Sequence, residues 1–284
     1  MIKTDFLTQL KRFQIIINKR VTSSFSGTRK SMSFGRGLIV NDRRAYTPGD
    51  DYRAIDWKLY ARTDAFFVKR YEEDKNLTSH LLLDSSKSMD YSTSDHTKFE
   101  YGAMLALGFA YMSARNNEKF HLSLMSEGTD PLKAKKSSNQ VLTFMNHLNK
   151  AKLKGKLDFA KELIRYKSHI KSKSLVVIIS DFLFDIQQVR DTLYLFKNHD
   201  LKVIQVLDKS EMLFRVYGSL IVEDSETGEK IETFLDEQKR QEYRNEMYEH
   251  ITKLEEETMS LGGKFFLFST EEPIFDAFYK VMNN

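Results

Sequence analysis

The fold is decided by one stretch of the chain, which reads Ser79-His80-Leu81-Leu82-Leu83-Asp84-Ser85-Ser86-Lys87-Ser88-Met89. Its apolar run from Leu81 to Leu83 predicts a short buried strand that ends on the carboxylate of Asp84. Ligands of open α/β sheets bind beyond the carboxyl ends of the strands, so the loop after this strand is expected to carry the chemistry. If the backbone stays extended there, side-chain alternation points Asp84, Ser86 and Ser88 to the same side.

These three oxygen-bearing side chains predict a site for a hard cation. Magnesium prefers oxygen ligands in octahedral geometry and keeps several waters, so one or two carboxylates with a few hydroxyls suit it. The alternative is ordinary loop chemistry, because Ser and Asp side chains also cap helices and bond to nearby backbone N–H groups. The stretch by itself leaves both interpretations open.

Composition indicates a folded protein with no strong charge preference. Hydrophobic residues make up 41% of the 284 residues, and 44 basic against 40 acidic residues give a net charge of +4. A charge this small does not by itself predict nucleic-acid binding. Cysteine is absent, which excludes disulfides, thiolate metal ligands and cysteine nucleophiles.

The sequence predicts neither a membrane span nor a signal peptide. No apolar run approaches the roughly 18 residues that a spanning helix needs. Charged and polar residues are scattered through the apolar positions of the amino terminus, which is unlike a secretory signal. We therefore expect a cytoplasmic protein without a transmembrane segment, either free or held at the membrane by a partner.

Two parts are predicted, with a boundary near residue 77. Residues 1–76 combine an amphipathic helix, in which Phe6, Leu10 and Phe13 recur at helical spacing, with an arginine-rich β/turn extension. The apolar face of this helix is expected to pack on the body of the protein. Residues 77–284 alternate strands and helices, the pattern of a parallel sheet covered on both faces.

A second buried strand of this larger part also ends on a carboxylate. Its apolar run, Leu175 to Ile179, is followed by Ser180 and then Asp181. Right-handed crossovers bring the ends of neighbouring parallel strands to one edge of the sheet. We therefore expect Asp181 to lie beside Asp84 and to join the metal site.

The most unusual composition surrounds the turn at Pro48-Gly49. Arginines interleave there with carboxylates beside the only Trp of the chain, and the residues of interest are Arg43, Arg44, Asp50, Arg53, Asp56, Trp57 and Arg62. The favoured interpretation is a network of bidentate arginine–carboxylate pairs that fastens the turn onto the domain. The alternative is a partner or nucleic-acid surface, because Arg, Tyr and Trp are enriched in both.

Two sets of motifs resemble known families. The run Asp84-Ser85-Ser86-Lys87-Ser88 is similar to the Asp-x-Ser-x-Ser start of the metal-ion-dependent adhesion site of von Willebrand factor A domains. The segment from Tyr46 to Trp57, with Ala61-Arg62 and the later Ser180-Asp181-Phe182, resembles the bacterial domain of unknown function 58 family. The resemblance covers most of residues 30–270. It implies a von Willebrand factor A-like fold, doubly wound and mostly parallel, with helices on both faces.

The resemblance also assigns roles at the predicted site. It implies that Ser86 and Ser88 bind Mg²⁺ or Mn²⁺ directly, that Asp84 acts partly through water, and that Asp181 comes from a later loop. Family members carry Gly-Gly-Thr-Asp before the third helix, where this chain has Gly155-Lys156-Leu157-Asp158. The threonine ligand is therefore missing, and the Lys156 ammonium, a compact positive charge, is a candidate to occupy the place of the cation.

What the resemblance implies about function is a binding module rather than an enzyme. Such sites leave one coordination position open for a carboxylate from a partner. Relatives are often encoded beside MoxR-type AAA+ ATPases, so that ATPase or its client is the expected partner. The chain is then a non-enzymatic adaptor in protein maturation or remodelling.

Two other functions stay open. A Mg²⁺-dependent phosphatase would use Asp84 as its nucleophile, although haloacid-dehalogenase phosphatases place a second Asp two positions on, where this chain has Ser86. Nucleic-acid binding would use the basic amino-terminal segment and would show salt-sensitive retention. The residues concerned are Arg29, Lys30, Arg36, Arg43 and Arg44. We expect neither catalysis nor a nucleic-acid partner.

Overall fold

The computed structural model describes residues 2–13, 40–50, 52, 55–71, 78–125, 132–133, 138–153, 155, 157–213, 218–223 and 230–283. The chain divides into two compact units, Phe25–Asn76 and the combination of Met1–Ser24 with Leu77–Asn284. The amino-terminal helix α1, helical over residues 5–13, therefore groups with the larger unit. The sequence analysis had instead placed it with the extension in residues 1–76. The physical reason is that Phe6 and Leu10 pack into the core of the larger unit.

The larger unit is built around a six-stranded sheet in the order β5-β4-β3-β6-β7-β10. Five strands are parallel: β3 Thr78–Asp84, β4 Lys119–Met125, β6 Leu175–Ser180, β7 Asp200–Leu207 and β10 Lys264–Ser269. The two-residue edge strand β5, Leu132–Lys133, is antiparallel. Numbered along the chain, the strands run 3-2-1-4-5-6, which is the doubly wound order with its reversal between β3 and β6. The predicted fold class is confirmed.

Helices cover both faces of this sheet. One face packs against α1, α3 Lys98–Arg115, α4 Ser138–Asn149 and α9 Ile274–Asn283. The other face packs against α5 Phe159–Lys167, α6 Ile186–Leu193 and α8 Glu237–Ser260. Strand β3 serves both cores through its alternation, because Leu81 and Leu83 belong to the first and Leu82 to the second.

A 3-10 turn at Lys87–Asp90 follows β3, and the other remaining elements of the larger unit lie after β7. The short helix α7, Lys209–Leu213, follows that strand, and a hairpin is formed by β8 Gly218–Glu223 and β9 Lys230–Leu235. Helix α6 is followed directly by a 3-10 turn at Tyr194–Phe196. No helix within the described ranges is long and apolar enough to cross a membrane.

The described part of the smaller unit contains an antiparallel pair of strands and one helix. Strand β1, Val40–Ala45, pairs with β2, Phe67–Tyr71, and helix α2 spans Trp57–Thr63. The Asp50 carboxylate closes the turn at Pro48-Gly49 by accepting bonds from the N–H and the hydroxyl of Thr47, both at 2.9 Å. Asp56 is buried and caps α2 by accepting from the Leu59 N–H at 3.3 Å. Both carboxylates therefore bond the local backbone.

The arginine–carboxylate network stays a prediction. Arg43 and Arg44 lie on β1, but their side chains are outside the described residues, as are Arg53, Arg29, Lys30 and Arg36. Arg62 is exposed in the last turn of α2. Trp57 is exposed too, and its ring meets Phe66 edge-on with centroids 6.4 Å apart.

Candidate metal centre

Strands β3 and β6 bring the predicted carboxylates to one edge of the sheet. They are parallel neighbours in which Leu83 lies opposite Ile179, so Asp84 lies level with Ser180 and Asp181 follows one residue further along. Both carboxylates are buried. This edge is the switch point of the doubly wound sheet, where ligands of such folds bind.

The Asp84 carboxylate is held through both of its oxygens. Oδ1 accepts the Ser86 N–H at 2.8 Å, and Oδ2 accepts the hydroxyl of Ser180, the last residue of β6, at 2.6 Å. The first of these bonds is the local loop chemistry that the sequence left open. The second bond joins β3 to β6. Asp84 therefore holds the loop that follows β3 and also links that loop to the neighbouring strand.

The two predicted serine ligands lie side by side. The Ser86 and Ser88 hydroxyls form a hydrogen bond with each other, and their oxygens are 3.0 Å apart. Ser86 is buried and Ser88 is half-buried. Adjacent ligands of an octahedral ion with bonds of about 2.0–2.1 Å are separated by about 3 Å, so this spacing suits Mg²⁺. The loop is fixed further by the Lys87 N–H, which donates to the Gly155 carbonyl at 3.1 Å.

Sequence reasoning missed Lys98, the first residue of α3. Its ammonium donates to Asp181 Oδ2 at 2.9 Å and to Oε1 of Glu211 on α7 at 2.7 Å. The lysine is only 1% exposed, which is rare for this residue type unless it is paired. The signal in the sequence is a lysine at the start of a helix that is otherwise buried and apolar. Lys98 is thus a cation of the protein itself, bound to a carboxylate of the predicted site.

Burial and charge shift the pKa values of this cluster. Burial lowers the pKa of Lys98, but Asp181 and Glu211 outweigh it and raise that pKa overall, so the ammonium stays charged. The pKa of Glu211 is raised because its burial outweighs the attraction of Lys98. Burial, followed by the charge of Asp181, raises the pKa of Asp84 to about 7 against the hydrogen bonds from Ser180 and Ser86.

The raised pKa of Asp84 predicts a loss of stability with rising pH. The folded carboxyl keeps its proton between about pH 4 and 7, where the unfolded one has lost it, so the folded state is favoured at the acid end of this window. We expect the free energy of unfolding of the wild type to fall relative to Asp84→Asn as pH rises through the window, by up to about 1.4 kcal/mol per unit. Urea titrations of both proteins at pH 5, 6, 7 and 8 measure this, and parallel pH curves would contradict it.

The position of the missing threonine is occupied by an apolar residue. Leu157 is buried and belongs to the second core cluster, so it offers no ligand. The next residue, Asp158, caps α5 by accepting the Lys161 N–H at 3.1 Å. Lys156 lies outside the described residues, so its predicted role stays a prediction.

The donors of the Asp84 loop nevertheless fit a hard divalent cation. Ser86 and Ser88 have the required spacing, and Asp84 lies behind them with its position fixed. The described ranges contain no group of three or more His, Cys, Asp or Glu side chains arranged to hold a metal. The direct ligands of the ion would therefore be hydroxyls, as the resemblance implies. The Asp181 carboxylate would interact with both the ion and the Lys98 ammonium.

A third parallel strand ends on an aspartate at the same edge. Asp208 follows β7, and its carboxylate accepts the Thr93 N–H at 2.9 Å, the Ser210 hydroxyl at 2.7 Å and the Thr270 hydroxyl at 3.2 Å. Burial raises the pKa of Asp208, but the hydrogen bonds from Thr93 and Ser210 outweigh it and lower that pKa to about 2. Asp208 therefore stays ionised and joins three loops around the centre.

Comparison with solved structures returns proteins of low sequence identity. BatB from Bacteroides thetaiotaomicron is 11% identical over 73% of this chain and 97% of its own, with a TM-score of 0.45. An aerotolerance-related membrane protein from Bacteroides fragilis is 13% identical over 73% and 98%, with a TM-score of 0.48. The VWA domain of SpRpn10 is 11% identical over 72% and 94%, with a TM-score of 0.45.

Comparison of sequences identifies the family. Uncharacterized proteins of Mycobacterium tuberculosis and Mycobacterium bovis are each 23% identical over 224 residues, which is 77% of this chain and 70% of theirs. The model of the family described as protein of unknown function DUF58 matches residues 42–253, which is most of the chain. The protein therefore belongs to the DUF58 family.

Proposed function

We propose that this protein is a non-enzymatic interaction module that binds an acidic side chain of a partner protein at the Asp84 loop, through a divalent cation held by Ser86 and Ser88. The observation that carries the proposal is the pair of hydroxyls 3.0 Å apart at the switch point of the sheet. Ser88 is half-buried whereas Ser86 is buried, so Ser88 is the member of the pair that solvent and a partner can reach.

Each residue of the chain has a separate task in this proposal. Ser86 and Ser88 hold the ion, and Asp84 positions Ser86 by accepting its N–H. Ser180 holds Asp84 from the neighbouring strand. The cation supplies the positive charge that a partner's carboxylate completes, since hard divalent ions take carboxylate oxygens readily.

Two features of the centre favour binding over catalysis. Asp84 is fully buried and each of its oxygens accepts a hydrogen bond of 2.6–2.8 Å, so the carboxylate is poorly placed to attack a phosphate ester. The Asp181 carboxylate is engaged by Lys98. A general acid or base must reach the proton it transfers, and both carboxylates are used in holding the structure.

Titration calorimetry with Mg²⁺ and Mn²⁺ tests the metal step. We expect heat of binding in the wild type and its loss in Ser86→Ala and Ser88→Ala, since each variant removes a direct ligand. Ser85→Ala is the matched control in the same loop, because the Ser85 hydroxyl bonds the Met125 carbonyl at 3.1 Å and is expected to leave the heat unchanged. No heat in the wild type, or equal heat in all four proteins, would contradict the metal step.

Capture of a purified MoxR-type AAA+ ATPase tests the partner step. Immobilised protein is expected to retain the ATPase in Mg²⁺ and to release it in EDTA, with at least a tenfold loss for Ser86→Ala, about 1.4 kcal/mol. A charge-neutralised partner variant, with its docking Asp or Glu changed to Asn or Gln, should behave as Ser86→Ala does. Retention that neither EDTA nor Ser86→Ala changes would rule out this mode of docking.

A further inference from the structure

A polar cavity lies near the same edge of the sheet. It has a volume of about 300 Å³ and is lined by the loop at residues 94–96, the first turn of α3 and the loop between β10 and α9. One wall is fixed to the Asp208 network, because the Ser94 hydroxyl donates to Thr270 Oγ1 at 3.1 Å and Thr270 bonds Asp208. The cavity shares no lining residue with the Asp84 loop.

The Tyr101 side chain lines this cavity and is 1% exposed. Its hydroxyl is buried and has no hydrogen-bond partner within the described part of the chain. A buried polar group without a partner costs about 1–3 kcal/mol, so such groups are uncommon in folded proteins. A phenylalanine would fill the same space without this cost. The hydroxyl therefore points to a bound group that completes its hydrogen bonding.

The charged residues around the cavity indicate the charge of the bound group. After burial, the carboxylates of Glu272 and Asp276 raise the pKa of Tyr101, which means that the potential at its hydroxyl is negative. Asp95 and Glu271 also line the cavity. A hydrogen-bond donor with positive charge is favoured in such a place, with the Tyr101 oxygen as its acceptor.

Positive groups are also present at the rim, and they lie toward solvent. Lys209 pairs with Glu271 at 2.5 Å and Lys280 pairs with Glu272, with side-chain exposures of 47% and 56% for the two lysines. His96, also exposed, lies 3.6 Å from Glu100. Exposed ion pairs contribute at most about 1 kcal/mol, so an entering cation can displace these lysines at small cost.

We propose that the cavity binds an alkylammonium or guanidinium group, with Tyr101 Oη accepting a hydrogen bond and Glu272 supplying the counter-charge. The volume is at the lower end of small-molecule sites and suits a single basic side chain or a small diamine. This binding does not depend on the metal centre. The group comes either from a free amine or from a lysine or arginine of a bound protein.

Binding of small probes separates these sources. The probes are cadaverine, N-acetyl-lysine amide, N-acetyl-arginine amide and the neutral N-acetyl-norleucine amide, added to the full chain and followed by calorimetry and by thermal unfolding. We expect the cationic probes to bind with Kd near about 1 mM and the neutral probe not to bind. Binding of cadaverine alone assigns a free amine, and binding of an amino-acid amide assigns a protein side chain. Equal binding of norleucine amide, or no binding up to about 10 mM, overturns the proposal.

Two variants locate the site. Tyr101→Phe is expected to unfold at the same or a higher temperature than the wild type without ligand, and to bind the cationic probes at least tenfold more weakly. Glu272→Gln should also bind at least tenfold more weakly. Glu237→Gln, on helix α8, which contributes no residue to the lining of the cavity, should bind like the wild type. If Tyr101→Phe unfolds at a lower temperature while binding is unchanged, the hydroxyl has an internal role and the proposal fails.

Discussion

Replacing Lys98 with Met is expected to lower the free energy of unfolding by about 3–5 kcal/mol, the range measured when one partner of a buried ion pair is removed. The variant keeps a side chain of similar length but leaves Asp181 and Glu211 without the ammonium that bonds both. The Asp181 and Lys98 side chains are 2% and 1% exposed, so water cannot replace the lost bonds. Urea unfolding of both proteins at pH 7, followed by circular dichroism, measures the difference.

Lys87→Met is the matched control for this prediction. Lys87 also pairs with a carboxylate, that of Asp90 at 2.5 Å, but the two side chains are 46% and 41% exposed. Exposed pairs are worth about 0–1 kcal/mol, so this variant should unfold close to the wild type. If Lys98→Met lowers the free energy of unfolding by less than about 1 kcal/mol, water or protons must compensate the charges of Asp181 and Glu211. That result would contradict the prediction, which depends on the burial of this cluster.

Removing all three charges together isolates the cause. The triple variant Lys98→Met, Asp181→Asn, Glu211→Gln is expected to be more stable than Lys98→Met alone, because replacing a whole buried ion cluster by neutral groups is often close to neutral. A triple variant as unstable as Lys98→Met would instead point to lost packing of the lysine stem.

The sheet could be predicted because its central strands are buried on both faces. For that reason the strands contain unbroken apolar runs, Leu81 to Leu83 and Leu175 to Ile179. Asp84 directly follows the first run, and Asp181 follows the second after Ser180. The two-residue strand β5 has no such signal, since so short an edge strand contains almost no alternation. The amino-terminal helix was recognised, but its grouping with the larger unit depends on long-range packing of Phe6 and Leu10.

The centre could be predicted only in part, for a related reason. Asp84, Ser86 and Ser88 lie within one loop, so their spacing in the sequence carries the information. Lys98 meets Asp181 and Glu211 across 83 and 113 residues of chain, a distance at which no local pattern operates. A lysine at the start of a helix also has an ordinary explanation as a solvated side chain, and its burial is visible only in the folded protein.

The second large effect is expected in the affinity of the Lys98→Met variant for divalent cations. Lys98 and a divalent ion both place positive charge beside Asp181, so the ammonium lowers the negative charge available to the ion. We expect Lys98→Met to bind Mg²⁺ at least tenfold more tightly than the wild type. At a Mg²⁺ concentration 100 times its Kd, binding restores about 2.7 kcal/mol of the lost stability.

Thermal unfolding in Mg²⁺ measures this gain, with NaCl at equal ionic strength to separate binding from screening. Adding Ser86→Ala to Lys98→Met should reduce the gain, because the new charge and the hydroxyl pair serve the same ion. Equal stabilisation of wild type and Lys98→Met would mean that Lys98 does not oppose the ion, leaving it a purely structural partner of Asp181. Stabilisation by Mg²⁺ that occurs only in Lys98→Met would mean that the Lys98 ammonium takes the place of a metal ion at this edge. A partner would then meet a centre whose carboxylate charge is already neutralised by Lys98.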